Sequence, residues 1–349
     1  MDPFCICLVF MCVMAVVSGS MITNKRLNAK SSTSDVMGLY SSGVTSTTHV
    51  VVTGGNAGLG LETVDSLSKA GARVTMLARN KAAADAALEG LEAKARVTVR
   101  EVDLASLESI AALADAMPAD DKIDTLVLNA GIMATPSVEY TDAGFEKQIG
   151  VNHFGHVYLY SLLESRLNTG GVRNEKPRVV TLASSAHRFG HVDTADLHYA
   201  KEGGRTYTPW GAYGQSKLSN ILFAKSLADK MGHHLISVAV HPGVIKTNLW
   251  QNTPGGGQGL FGWVLDKLVA DKSVAQGAAT TVYACTSPRL ALDSLQGSYL
   301  QDCAPMQPTA AALDTRLREA LWTTTKAQLI EALEKKNLPI PYNASVFAL

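Results

Sequence analysis

A glycine-rich turn set between a β-branched run and a helical pattern narrows what this chain can fold into more than any other feature. Residues 49–53 read His-Val-Val-Val-Thr, the turn continues Gly54-Gly55-Asn56-Ala57-Gly58-Leu59-Gly60, and Leu59, Thr63, Leu67 and Ala70 then recur at helical spacing. The glycines answer separate steric needs. Gly54 permits the tight turn leaving Thr53, Gly58 lets backbone N–H groups approach a pyrophosphate at the positive end of the helix, and Gly60 allows helix and strand to pack closely. The spacing Gly-x-x-x-Gly-x-Gly differs from the commoner Gly-x-Gly-x-x-Gly, but a strand before it and a helix after it supply the context that a phosphate-binding turn requires. Thr53, Gly54, Asn56, Ala57, Gly58, Leu59 and Gly60 are therefore candidate dinucleotide contacts.

Short apolar runs rich in β-branched residues follow at 73–77, 97–102, 125–129, 178–183 and 236–240, separated by helical segments such as the Ala-rich 82–95 and 105–116. Such alternation predicts an α/β fold: a Rossmann-type, doubly wound parallel sheet of about seven strands with helices on both faces. No linker interrupts 49–349, so one domain is expected there, with 298–300 as its last strand and a helix of unassigned role at 315–336. In the 349 residues Lys+Arg 31 balance Asp+Glu 31, which excludes the broad basic field of a nucleic-acid binder. Cys5, Cys7 and Cys12 crowd the start and leave Cys285 and Cys303 in the body, so there is neither a disulfide framework nor a Cys-x-x-Cys metal pair.

The first 48 residues read as an address. An unbroken apolar stretch at 4–17 is followed by Ser18, Gly19 and Ser20 and is shorter than the roughly 20 residues of a spanning helix, which suits a signal peptide over 1–20. Asp2 before it and Lys25 and Arg26 after it suit an uncleaved signal anchor instead. Either reading puts the segment at a membrane. Residues 21–48 are rich in Ser and Thr, with Lys25, Arg26 and Lys30 against Asp35, a composition shared by organelle transit segments and flexible linkers. The expected location is the secretory pathway or endoplasmic reticulum membrane or, through a bipartite signal, a plastid, rather than the cytosol.

Three further groups bear on chemistry. The second strand runs into Ala78-Arg79-Asn80, where an NAD-selective site carries an acid for the ribose hydroxyls. Arg79 offers instead a bidentate fork to a 2′-phosphate, so NADP(H) is the expected cofactor; the alternative is an ordinary surface arginine opening a helix. Asp103 and Leu104 end the third strand in position to cap an adenine, and Asn129, Ala130 and Gly131 bring small residues to the end of the fourth. Tyr213 and Lys217 stand one turn apart on a helical segment that continues through Leu218, Ile221, Leu222 and Ala224. A tyrosine is a poor acid–base catalyst at neutral pH, and a nearby ammonium lowers its pKa by stabilising the phenolate. The run 178–183 leads into Ser184 and Ser185 at the carboxyl edge of the sheet, where open α/β folds bind ligands. Strand alternation points only one of the two at the site.

With the glycine turn, Asn129-Ala130-Gly131, Asn152, Ser185, Tyr213 with Lys217, and Pro242-Gly243 in this order, the region from His49 to about Thr247 resembles the short-chain dehydrogenase/reductase family. The wording Val151-Asn152-His153-Phe154-Gly155-His156, Ser184-Ser185-Ala186-His187 and the stretch 213–220 is most similar to the retinol dehydrogenase branch and related plant and algal reductases. The resemblance implies that Tyr213 is the general acid of carbonyl reduction, that Ser185 holds the substrate oxygen, and that Lys217 tunes Tyr213 and binds the nicotinamide ribose. It also implies that Asn152 fixes a water relaying protons through Lys217. Ser185 is preferred because the family's catalytic serine is normally the second of the pair, with Ser184 the alternative. Pro242, Gly243, Val244, Ile245 and Thr247 would close over the nicotinamide. Family members often pair through helices around 141–169 and 211–232, so a homodimer or homotetramer is expected by resemblance.

The stretch 249–272 combines Gly255-Gly256-Gly257 with Trp250, Phe261 and Trp263, which suits a mobile cover on a hydrophobic pocket or, equally, a face against a partner subunit or membrane. A lipophilic aldehyde, ketone or alcohol is the expected substrate. No metal is expected, because His153, His156, His187, His191, His198, His233, His234 and His241 have no Asp, Glu or Cys at ligand spacing. Tyr207 and Trp210 would line the site entrance or pack on the core. Two other readings stay open. A protochlorophyllide reductase-like enzyme would have a cysteine two residues after the lysine, where this chain has Ser219. A non-enzymatic NADP(H) sensor would need only the glycine turn and Arg79.

Overall fold

The computed structural model describes residues 27–167, 176–243, 245, 272–292 and 294–348. The apolar stretch at 4–17, Val244, Thr247 and almost all of 249–272 lie outside the described residues. Eight strands form one sheet in the order β3-β2-β1-β4-β5-β6-β7-β8. They are β1 (His49–Thr53), β2 (Arg73–Ala78), β3 (Val97–Glu101), β4 (Thr125–Leu128), β5 (Arg178–Leu182), β6 (Ile236–His241), β7 (Tyr299–Gln301) and β8 (Ala304–Met306). The first seven run parallel, and β8 returns antiparallel to β7 at the edge, one strand more than the alternating pattern predicted. Its brevity and Pro305 hide it from a search for β-branched runs.

β1 shows how the sheet is held. Val52 stands opposite Met76 on β2 and Val127 on β4, so β1 is flanked by parallel partners on both sides. Strands covered on both faces read as continuous apolar runs, which is why Val50, Val51 and Val52 are all buried. Val51 packs with Leu126 and Val179 under the helices α4 (Leu107–Ala116), α5 (Gly155–Leu163) and α6 (Pro209–Met231). Val50 and Val52 face the opposite layer with Val64 and Leu67 of α2 (Gly58–Lys69), Ala84 of α3 (Lys81–Glu89) and Val282 of α7 (Val274–Thr286). The doubly wound layering read from the sequence is what the structure shows.

The stretch expected as a Ser/Thr-rich linker or transit segment is folded from its first described residues. Ser32 caps a helix, α1 (Thr33–Tyr40), through a capping box with Asp35. Val36 is fully buried, and the rings of Tyr40 and Tyr283 meet edge to face at 5.9 Å. α1 thus closes the layer over α2 and α7 ahead of His49, because a few apolar side chains among many hydroxyls suffice to bury one helix face. Among the described residues no helix is long and apolar enough to cross a membrane.

The helix left without a role, α8 (Thr315–Lys335), lies against α6, with Trp322 stacked on Phe223 at 6.1 Å and Thr325 Oγ1 3.0 Å from His153 Nε2. The tail after it follows α5: the Tyr158 hydroxyl donates to the Pro339 carbonyl, and the Ser345 N–H to the Glu164 carboxylate. This chain's own C-terminal segment therefore packs on both of the helices that the resemblance names for pairing. Val36→Ala should lower stability by about 2 kcal/mol, the usual cost of emptying a buried aliphatic site. An unchanged denaturation midpoint would contradict α1 as part of the core.

Candidate active site

At the point where the strand order reverses, between β1 and β4, the carboxyl ends of the strands open into a cleft of about 490 Å³. Its wall brings together Thr53, Gly54, Asn56, Ala57, Gly58, Leu59, Gly60, Arg79, Asp103, Leu104, Asn129, Ala130 and Gly131, every dinucleotide contact expected up to Gly131. Two glycines are sterically required. Gly54 takes φ +64, and a Cβ at Gly60 would stand 2.1 Å from the Gly54 carbonyl oxygen. Helix α2 opens with Ala57 as N-cap, which offers no side-chain acceptor, and no acid stands in the first turn. Its N–H groups and positive helix end face the cleft unneutralised, so these residues fit a pyrophosphate-bearing cofactor.

Thr53 locks the floor of the cleft. Its buried hydroxyl oxygen accepts the N–H groups of Asn129 at 2.8 Å and Ala130 at 2.9 Å, while Asn129 Nδ2 donates back to the Thr53 carbonyl at 2.7 Å. Arg79 is exposed at the end of β2, and among the described residues no carboxylate pairs with it. Asn80 and Lys147 line the same cleft and were not singled out in the sequence. Asn80 had a signal, being the N-cap of α3, which accepts the Ala83 N–H. Lys147 had none, since the irregular chain between β4 and α5 follows no period.

Beside this cleft α6 carries Tyr213 and Lys217, both buried. The Lys217 ammonium donates to the Leu182 carbonyl at 3.0 Å and lies 5.6 Å from the centre of the Tyr213 ring. A Cβ on Gly131 would come within 3.1 Å of Asn152 Oδ1, a tight approach, and 3.5 Å of Lys217 Nζ, an ordinary contact, so Gly131 lies against both groups. Asn152 is clamped from three sides: Oδ1 accepts the Ile132 N–H at 2.8 Å, and Nδ2 donates to the Ile132 carbonyl and the Ser216 hydroxyl. Met133, Ala134 and Ala186, with Trp210, pack around Tyr213 as an apolar wall.

Two expectations bear on this group. Of the two serines, it is the side chain of Ser184, the alternative of the pair, that acts on the Tyr213 hydroxyl. β5 ends at Leu182 and Ser184 continues in extended conformation, whereas Ser185 opens a 3₁₀ turn and gives its backbone N–H to His241 Nδ1 at 3.3 Å. A one-residue shift along an extended strand exchanges the faces, so the point where β5 stops decides which serine turns toward Tyr213. Tyr213, for its part, was expected to have a lowered pKa. Burial instead pushes it up to about 12, with the Ser184 hydrogen bond pulling the other way. Burial also pushes the Lys217 ammonium down to about 8. Pro242 and Gly243 follow β6, where Gly243 takes φ +93 against the Lys272 side chain.

Comparisons with known proteins agree with this layout. The family model described as short chain dehydrogenase matches residues 48–256. Retinol dehydrogenase 12 of Mus musculus is 35% identical over 283 residues, 79% of this chain and 84% of that protein. Short-chain dehydrogenase TIC 32 A, chloroplastic, of Brassica napus is 32% identical, covering 81% of this chain and 88% of its own. A crystal structure of an uncharacterized protein from Mycobacterium paratuberculosis matches with a TM-score of 0.64 and 32% identity, over 83% of this chain and 96% of that one.

The buried ammonium carries a stability consequence. With its folded-state pKa near 8 against an ordinary 10.5, the unfolded chain holds the extra proton between those values, so Lys217 destabilises fully below pH 8 and that penalty fades as pH rises. The penalty at neutral pH is on the order of 3 kcal/mol. Lys217→Met should therefore raise the denaturation midpoint of the cofactor-free protein at pH 7, with the gap to wild type narrowing from pH 8 upward. A less stable variant at pH 7 would contradict the buried-charge reading.

Proposed function

The chain belongs to the short chain dehydrogenase family, oxidoreductases that use a nicotinamide dinucleotide, and from that premise we propose that it is an NADP(H)-dependent reductase of lipophilic aldehydes and ketones, or dehydrogenase of the matching alcohols. The observation that carries this is the buried Tyr213–Lys217 pair beside the cleft, with the partly buried Ser184 next to Tyr213 and a wall of Met133, Ala134, Ala186 and Trp210. A substrate reaching Tyr213 meets an apolar surface, as a lipophilic carbonyl compound would require. Retinol dehydrogenase 12, by its name, acts on a lipophilic alcohol, the reduced counterpart of such a compound.

The cofactor would lie along the glycine turn, with Asp103 and Leu104 beside its adenine, and Arg79 would hold its 2′-phosphate. When bound, it supplies or accepts the hydride. The remaining work falls to the chain's own residues. Ser184 Oγ holds the substrate oxygen, and Tyr213 gives it the phenolic proton. Burial makes the Tyr213 phenolate and the Lys217 ammonium each costly alone, so a charge forming on one offsets the charge on the other. Proton transfer is therefore easiest while Lys217 stays charged. Asn152, clamped to Ile132 and Ser216, keeps the segment after β4 at a fixed distance from α6.

The test is cofactor oxidation by the full chain with NADPH and NADH in parallel, across lipophilic aldehydes and ketones. NADPH should support turnover well above NADH. Arg79→Glu should lower kcat/KM for NADPH by about 10- to 100-fold, the worth of a charge-assisted bidentate contact. Tight NADPH binding without reduction of any carbonyl would sink the reductase reading.

A further inference from the structure

Between the glycine turn and Asn152 stands a side chain that the proposed reaction does not use. His156, on α5 and buried, has Nε2 2.9 Å from Thr53 Oγ1 and Nδ1 3.0 Å from the Asn152 carbonyl oxygen. Its partners determine where the protons are. A carbonyl oxygen only accepts, so Nδ1 must carry hydrogen. Thr53 Oγ1 already accepts the N–H groups of Asn129 and Ala130, and its own hydroxyl hydrogen goes to Nε2 at 2.9 Å in preference to the Val127 carbonyl at 3.4 Å. A second ring proton would put a third donor on that oxygen.

The surroundings enforce the same state. Lys217 is the charged group facing the ring and opposes a second positive charge, and His153, the neighbouring imidazole, is itself held neutral by burial. Desolvation is the largest cause, and His156 falls to about 4. Asn152 sits in a turn of π-helix, Gly150–Phe154, where the regular ladder is widened. The ring four residues on braces its carbonyl.

We propose that His156 is a positioning residue: as a neutral Nδ1–H imidazole it fixes the Asn152 carbonyl and ties it, through the Thr53 hydroxyl, to the floor of the dinucleotide cleft. Thr53 and Asn129 tie the glycine turn to the end of β4 without the ring, so what His156 keeps in register with that floor is Asn152. The structural part stands on hydrogen-bond partners alone, while its effect on turnover rests on the reductase reading.

The first test needs no turnover. Long-range proton–nitrogen correlation spectra of histidine-labelled protein should show His156 as the Nδ1–H form, without titration, between about pH 5 and 9. An Nε2–H ring, or one that charges in that range, would overturn the proposal. In kinetics, His156→Leu should lower kcat on the order of 10- to 100-fold. The NADPH Kd should stay within about twofold. His156→Asn, whose amide can donate near the Nδ1 position, should recover much of the loss. Unchanged kcat in His156→Leu, an equal loss in Kd and kcat, or no rescue by Asn would each contradict a positioning role. If the leucine variant does not fold, His156→Gln, which displaces the amide by one bond, replaces it, and kcat no lower than in the asparagine variant would overturn the proposal. A wild type that shows the Nδ1–H ring and binds NADPH but reduces no carbonyl removes the reductase reading and leaves this bracing intact.

Discussion

The hydrogen bonds that gather on Thr53 hold the site open at the one place where a parallel sheet of this order can bind a ligand. β1 and β4 are neighbours whose following chains leave toward opposite faces, and without a tie at their carboxyl ends the cleft would have no fixed floor. Thr53 Oγ1 supplies that tie by accepting two backbone N–H groups from the end of β4, and Asn129 returns a bond to the Thr53 carbonyl. From that fixed floor, the uncapped start of α2 is aimed at one end of the cleft and Asn152 at the other.

A second constraint is electrostatic. Tyr213 and Lys217 are both buried, so each pays for charge when alone, and the folded protein tolerates an ammonium that hydrogen-bonds the Leu182 carbonyl. A core built for stability would place an apolar residue there. Strain or desolvation concentrated at a functional site and offset by packing elsewhere is the pattern expected of a catalytic centre. Here the offset comes from two extensive apolar layers, one of them extended by α1 and the other by α8 and the tail.

Much of this was legible in the sequence because it rests on local steric rules. The glycine turn declares itself: only glycine fits at Gly60, and the β-branched runs around it have the length of buried strands. Tyr213 and Lys217 are one helical turn apart, a spacing that needs no tertiary knowledge. What escaped depended on where elements stop or on contacts between distant residues. The choice between Ser184 and Ser185 turns on β5 ending at Leu182, and the direction of the Tyr213 shift on how deeply α6 is covered. α1 hides in a Ser/Thr-rich stretch, and β8 is three residues with a proline. The bracing by His156 appears only once α5 is folded against β1.

In the proposed reaction the Tyr213 hydroxyl delivers the proton from a site that binds cofactor independently of it. The most direct measurement is NADPH binding and NADPH-dependent carbonyl reduction by Tyr213→Phe beside the wild type. The NADPH Kd should be unchanged and kcat should fall by at least about 100-fold, the usual worth of a general acid. Turnover within a few-fold of wild type would contradict it.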